Sequence, residues 1–212
     1  MRALINLTLL LLVISGFAVA PAAKAGDVPK RAEDVQPLPV GASAPDFSVR
    51  TAAGDAFVFD ADAVTQPTLL IFYRGGWCPY CNRHLQELQT VVPKLRAEGY
   101  EVLFLSADRP ELLYKSLDEP DIDYTLLSDA AMTASRAFGL AFEVDAPTVK
   151  RYKEFGIDLE ASSGFDHHQL PVPAVYLIGA GGTVEFMFSD PDYKKRLEPD
   201  ALLSAAGISA GD

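Results

Sequence analysis

Thr68-Leu69-Leu70-Ile71-Phe72-Tyr73 is a continuous apolar run, and Cys78 follows it five residues later at the head of an amphipathic stretch. A short run with no alternating polar residue suits a strand covered on both faces. From Cys78 onward Leu85, Leu88, Val92 and Leu95 recur at steps of three and four, which places one apolar stripe on a helix ending near Gly99. Pro93 is expected to kink that helix, because its ring removes a donor and crowds Gln89 one turn back.

The same alternation continues along the chain. Phe47 and Val49, then Phe57 and Phe59, flank Ala53-Gly54-Asp55 and read as a hairpin. Val102 to Ser106 reads as the next buried strand, Pro110 to Leu117 as a short helix, Tyr124 to Leu127 as a strand, and Ala130 to Phe138 as a helix stopped by Gly139. Val172 to Ile178 and Thr183 to Phe188 form two strands across the turn Gly179-Ala180-Gly181-Gly182, and Pro199 to Ala206 closes the chain as a helix. The implied fold class is α/β, with a mixed central sheet flanked by helices and an N-terminal hairpin. Leu140 to Leu170 is long for a connection, with a helix expected over Thr148 to Phe155. It is either a surface insertion or a cover over the site.

Residues 1–25 read as a cleaved secretory signal: Arg2, the apolar run Leu4 to Val19, and the small-x-small pattern Ala23-Lys24-Ala25. No cysteine follows the run, which argues against a lipid anchor. Residues 26–44 contain Pro29, Pro37 and Pro39 and read as a linker, and 45–212 as the folded domain. The mature chain is expected to be secreted or periplasmic, off the membrane once the signal is gone, and in an oxidising compartment. The net charge of −11 argues against a nucleic-acid partner, which requires a basic surface. Gly179-Ala180-Gly181-Gly182 precedes a strand instead of a helix and so lacks the context of a phosphate loop.

Only two cysteines are present, three positions apart in Trp77-Cys78-Pro79-Tyr80-Cys81, too close to brace distant parts of a fold. Free backbone donors and the positive end of a helix dipole stabilise a thiolate there, and the thiolate is the nucleophile. The spacing lets one sulfur attack and the other resolve, so the dithiol itself serves as the redox cofactor. Pro79 near the helix start has no donor to waste and fixes the turn.

The apolar strand, Trp77-Cys78-Pro79-Tyr80-Cys81, the helix after it and Pro173 before a late strand together resemble the thioredoxin fold. That resemblance implies a cis Val172-Pro173 bond packed on the dithiol, Cys78 as exposed nucleophile and Cys81 as resolving thiol. A longer resemblance, over about Pro39 to Ala206, is to the peroxiredoxin superfamily of alkyl hydroperoxide reductases and thiol-specific antioxidants. It is carried by Gly41-Ala42-Ser43-Ala44-Pro45-Asp46-Phe47, Ile71-Phe72-Tyr73 and Leu126-Leu127-Ser128-Asp129. The family's Pro-x-x-x-Thr-x-x-Cys motif, laid on Arg74 to Cys81, puts the peroxidatic position at Cys81, with Cys78 in place of Thr and Arg74 in place of Pro. The family's arginine before the late strand is also replaced, by Leu170-Pro171-Val172-Pro173. The combination resembles peroxiredoxin-like proteins with a thioredoxin-type Cys-x-x-Cys.

Because the usual Thr and Arg donors are absent, the favoured expectation is thiol-disulfide exchange at Cys78 and Cys81 with a protein partner and an external electron donor. The alternative is a thiol peroxidase with Cys81 peroxidatic, acting on hydrogen peroxide or organic hydroperoxides. Trp77, Pro79, Tyr80, Arg74, Val172 and Pro173 are the expected groove and support residues, and His167 and His168 candidates for proton transfer. A second alternative is a metal-delivery protein using Cys78, Cys81 and a histidine such as His84. Asp192-Tyr193-Lys194-Lys195-Arg196 reads as a solvated basic run.

Overall fold

The computed structural model describes residues 28–114 and 124–209. The expected signal segment and part of the expected helix at Pro110 to Leu117 lie outside the described residues. A seven-stranded mixed sheet forms the centre: β1 (Phe47–Thr51), β2 (Ala56–Phe59), β3 (Thr68–Tyr73), β4 (Glu101–Ser106), β5 (Thr125–Ser128), β8 (Ala174–Ile178) and β9 (Val184–Ser189). Their spatial order is β2-β1-β5-β4-β3-β8-β9. β3, β4 and β5 run parallel, while β1, β8 and β9 join antiparallel to β5, β3 and β8 respectively.

β3 sits between β4 and β8, which explains its unbroken apolar sequence. Leu69, Ile71 and Tyr73 face one core with Leu85, Leu88, Leu95, Leu202 and Leu203 from α1 (Pro79–Gln89), α2 (Val92–Ala97) and α6 (Pro199–Ala205). Leu70 and Phe72 face the other, with Phe47, Phe138 and Tyr176. Each such large side chain, fully buried, contributes roughly 1.5–3 kcal/mol. Pro93 does more than kink one helix. The chain breaks after Gln89, whose carbonyl the ring would strike, and restarts as α2 with Pro93 in its first turn, where no amide donor is needed.

Several expectations shift when the chain packs. Pro110 to Leu112 forms a single 3₁₀ turn, and the expected Ala130 to Phe138 helix shortens to α3 (Thr133–Ala137). Residues 28–44, expected as a linker, lie along the domain: Glu143 N–H donates to Pro29 C=O, Leu38 N–H to Phe138 C=O and Ala44 N–H to Gly182 C=O.

The connection Leu140 to Leu170 is itself built. It holds β6 (Ala141–Glu143), α4 (Ala146–Glu154) and α5 (Leu159–Ser163), and its β6 pairs with β7 (Gln169–Pro171). Val144, Val149, Leu159 and Leu170 close a third apolar cluster with Met132. Asp145 and Asp158 cap α4 and α5 by accepting from Thr148 N–H and Ala161 N–H, which starts each helix at a defined residue. No cis peptide bond occurs among the described residues, so Val172-Pro173 is trans, contrary to what the thioredoxin resemblance implies. Val172 N–H is held by Leu140 C=O, and the chain passes extended from β7 into β8.

Candidate active site

β3 ends at Tyr73, and the loop 74–78 turns its chain into α1. Gly75 makes the turn at φ +150°, and a side chain there would run into the Trp77 indole and stand 2.7 Å from Asp108 Oδ1. Gly76 N–H donates to Asp108 Oδ2 at 2.6 Å, and Asn82 Nδ2 donates to Gly76 C=O at 2.8 Å, so the loop is held from β4's end and from α1. Burial pushes the Asp108 carboxyl up to about 6, against the donors of Gly76 and Ser106.

Cys78 is the N-cap of α1 with extended backbone, and Pro79 follows in the first turn, as the sequence predicts. Cys81 N–H and Asn82 N–H donate to Cys78 C=O at 3.0 and 3.1 Å, which sets both cysteines on the opening turn. Both are free thiols, Cys78 2 % and Cys81 0 % exposed. The hydrogen bond from Cys81 S–H pulls Cys78 down to about 6, with the charges of Arg74 and Arg196 helping against burial. Burial pushes Cys81 well up. The pair is thus asymmetric, with Cys78 the thiolate and Cys81 the thiol.

Two guanidinium groups flank the sulfurs. Arg74 is 4 % exposed, donates from Nη2 to the Tyr152 hydroxyl and lies 4.1 Å over the Tyr193 ring, 5.0 Å from Trp77 and 5.5 Å from Tyr152. Arg196 donates from Nη2 to Cys81 Sγ at 3.3 Å, while its Nε and Nη1 are buried without a hydrogen-bond partner. Among the described residues no carboxylate forms an ion pair with either group. Asp192 to Arg196 is therefore no simple solvated run, because Tyr193 and Arg196 fold back onto the dithiol. The sequence carried no local signal for this, since alternation and charge along 192–196 look like any exposed turn.

His84 explains how Arg196 is held. Its Nε2 lies 3.1 Å from Leu197 C=O and donates to it, tying the segment before α6 onto α1. His84 is 4 % exposed, and burial lowers it to about 4, so the ring is neutral. The Nε2 bond to Leu197 C=O leaves only Nδ1 of His84 as a candidate ligand. Among the described residues no cluster of three His, Cys, Asp or Glu side chains is placed to hold an ion.

The proton-transfer candidates are also committed elsewhere. His167 Nε2 bonds Ala130 C=O at 2.8 Å and its Nδ1 accepts from Gln169 N–H at 2.9 Å. His168 Nε2 lies 2.7 Å from Glu160 Oε1. Both histidines stand behind Trp77 and Arg74, and their ring bonds go to Ala130, Gln169 and Glu160 instead of the sulfurs.

Val172 and Pro173 do join the site. With Arg74, Phe142, Tyr152 and Tyr193 they line a cleft of about 600 Å³ beside the dithiol loop. Tyr80, half-buried, meets Tyr193 edge-on at 5.6 Å and carries the aromatic wall onto α1.

Residues 40–187 match the AhpC/TSA family. Among solved structures, peroxidoxin BcpB from Mycobacterium tuberculosis superposes with a TM-score of 0.59 at 17% identity, covering 80% of this chain and 95% of that one. A peroxiredoxin-like protein from Aquifex aeolicus gives 0.60 at 19% identity over 81% and 88%. Yeast mitochondrial 1-Cys peroxiredoxin gives 0.60 at 13% identity over 80% and 75%. These likenesses bear out the thioredoxin-like α/β fold. No curated protein matches the sequence.

Proposed function

The chain belongs to the AhpC/TSA family, and from that premise we propose that it is a thiol peroxidase in which Cys78 attacks a hydroperoxide and Cys81 resolves the product. These roles are the reverse of those that the family motif laid on Arg74 to Cys81 implies, because Cys78 is the thiol held low and Cys81 the one held high. The observation that carries this reading is a dithiol closed to bulky partners yet flanked by guanidinium groups with donors to spare. Disulfide exchange with a protein requires an exposed attacking sulfur, whereas a hydroperoxide is small. The donors missing from the family motif were the reason to favour exchange, and Arg74 and Arg196 supply positive charge from other positions.

In the first step the Cys78 thiolate attacks the terminal oxygen of R–O–O–H. The O–O bond breaks, Cys78 becomes a sulfenic acid, and the alkoxide leaves and takes a proton from water. Arg196 Nε and Nη1 are donors for the charge that grows on the leaving oxygen, which a preorganised site stabilises best. Cys81 then attacks the sulfenic sulfur, the S–S bond forms, and hydroxide leaves with the Cys81 proton as water. The two electrons given to the peroxide come from the dithiol, which needs no other cofactor. An external dithiol donor restores it, a step that requires the oxidised pair to open toward the cleft of Val172, Pro173 and Tyr193, because the reduced sulfurs are closed to a bulky partner. Export belongs to the same reading and is supported by Arg2, the Leu4 to Val19 run and Ala23-Lys24-Ala25.

Trp77 is the sole tryptophan and adjoins Cys78, so stopped-flow fluorescence reads the reaction. Reduced protein should respond to one equivalent of hydrogen peroxide or an organic hydroperoxide. Cys81→Ser should stop at a sulfenic acid on Cys78, and Cys78→Ser should stay silent. Wild-type protein that ignores peroxides while reducing a model disulfide would restore the exchange reading.

A further inference from the structure

The Arg74 guanidinium is enclosed by three aromatic side chains from three separate parts of the chain. Trp77 comes from the dithiol loop, Tyr152 from α4 of the 140–170 segment, and Tyr193 from the stretch between β9 and α6. Of the three, only Tyr152 also hydrogen-bonds it, accepting from Nη2. A cation on aromatic faces is stabilised by the ring quadrupoles, and a hydroxyl acceptor fixes the direction in which its fork points.

We propose that Tyr152 is a positioning residue, which sets the Arg74 guanidinium beside Cys78 and so makes the 140–170 segment a working part of the active site. The proposal rests on Cys78 being the attacking thiolate. Packing alone does not require the arrangement: α4 is already anchored by Val149 in its own apolar cluster and capped by Asp145. Arg74 itself would be costly to bury without these partners. The charged and titratable groups that face Cys78 are Cys81 on α1, Arg74 on the dithiol loop and Arg196 ahead of α6. Asp108 reaches the same loop through Gly76. The Tyr152 ring also packs on Trp77 at 6.0 Å, so the variant that isolates its hold on Arg74 is one that keeps the ring and removes only the hydroxyl.

The test is the pH profile of alkylation of the reduced full chain by iodoacetamide, with each cysteine followed by mass spectrometry. Tyr152→Phe keeps the ring and loses the hydroxyl. It should raise the apparent pKa of the reacting thiol by about half a unit, slowing alkylation about two- to threefold below about pH 6 and not at all above about pH 8. In an Arg74→Gln background Tyr152→Phe should have no further effect, because coupled residues are not additive. Arg74→Met, which keeps the aliphatic stem without charge or donors, serves the same purpose should the glutamine variant not fold. Phe155→Ala, at the exposed end of the same segment, should leave the profile unchanged.

An unchanged profile in Tyr152→Phe, or the same shift with Arg74 removed, would overturn the proposal. Alkylation that begins at Cys81 is a different failure. It overturns the assignment of the attacking thiol, while the coupling of Tyr152 to Arg74 is still read from the double variant.

Discussion

Arg196 Nη2 lies 3.3 Å from Cys81 Sγ, although 115 positions separate the two in sequence. The contact brings a positive charge onto the more deeply buried sulfur of the dithiol. It also places a cation in a site whose sequence motif had lost its arginine. The segment bearing Arg196 is held by His84 and by Leu197, which is buried under α1.

Arg196→Gln should therefore slow peroxide reduction, since loss of one well-placed donor in a preorganised site costs about a hundredfold or more in rate. Arg196→Lys keeps the charge without the fork and should fall between the two. Stopped-flow rates for the three proteins at one pH check the order, and equal rates would remove Arg196 from the chemistry.

The two thiols should also separate by pH. Cys78 is lowered to about 6 and Cys81 is raised, so alkylation of wild-type protein at neutral pH should label Cys78 first. The rate at Cys78 should fall as pH drops through about 6, because only the thiolate reacts. Peptide mapping after a short pulse gives the order directly.

His84 predicts a stability change of defined sign. Its folded value of about 4 lies below the ordinary 6.5, so between those values the unfolded chain binds the proton and the folded chain does not. Stability is thus fully present above about pH 6.5 and declines as pH falls, by about 2 kcal/mol at pH 5. His84→Gln still offers Leu197 C=O an amide donor and does not titrate. The fall in Tm between pH 7.5 and 5 should be about 4–8 °C smaller in this variant.

Gly75→Ala tests the turn between β3 and α1. The added methyl would collide with Trp77 and with Asp108 Oδ1 in a backbone region that side-chain-bearing residues rarely adopt. The expected result is a loss of about 2 kcal/mol or more, with slower peroxide reduction as the loop shifts. Thermal melts and stopped-flow traces of the same preparation report both.

Much of the frame was legible because it rests on local patterns. The two-faced burial of Leu69 to Tyr73, the hairpin around Gly54, the cysteines at the head of α1 and the terminal β8–β9 pair follow from periodicity and turn chemistry. Pro93 was read as a bend and acts as a boundary, because sequence shows where a ring clashes but not whether the helix resumes straight or restarts. In the Leu140 to Leu170 stretch the helix expected over Thr148 to Phe155 is present as α4, while β6, α5 and the pairing with β7 were not legible, because they run for only three to five residues. Such short elements carry little periodic signal, and the stretch takes its order from packing on Met132 and Trp77.

What the sequence determined by itself is the placement of two cysteines on a strand-to-helix turn, where free backbone donors and the helix dipole favour a thiolate. Which sulfur carries the charge was decided only by the tertiary structure. Arg74 is confined by Tyr152 and Tyr193, and Arg196 is delivered by the far end of the chain. Charges act through space over a few ångströms, and no spacing along the chain encodes which distant side chains will meet there.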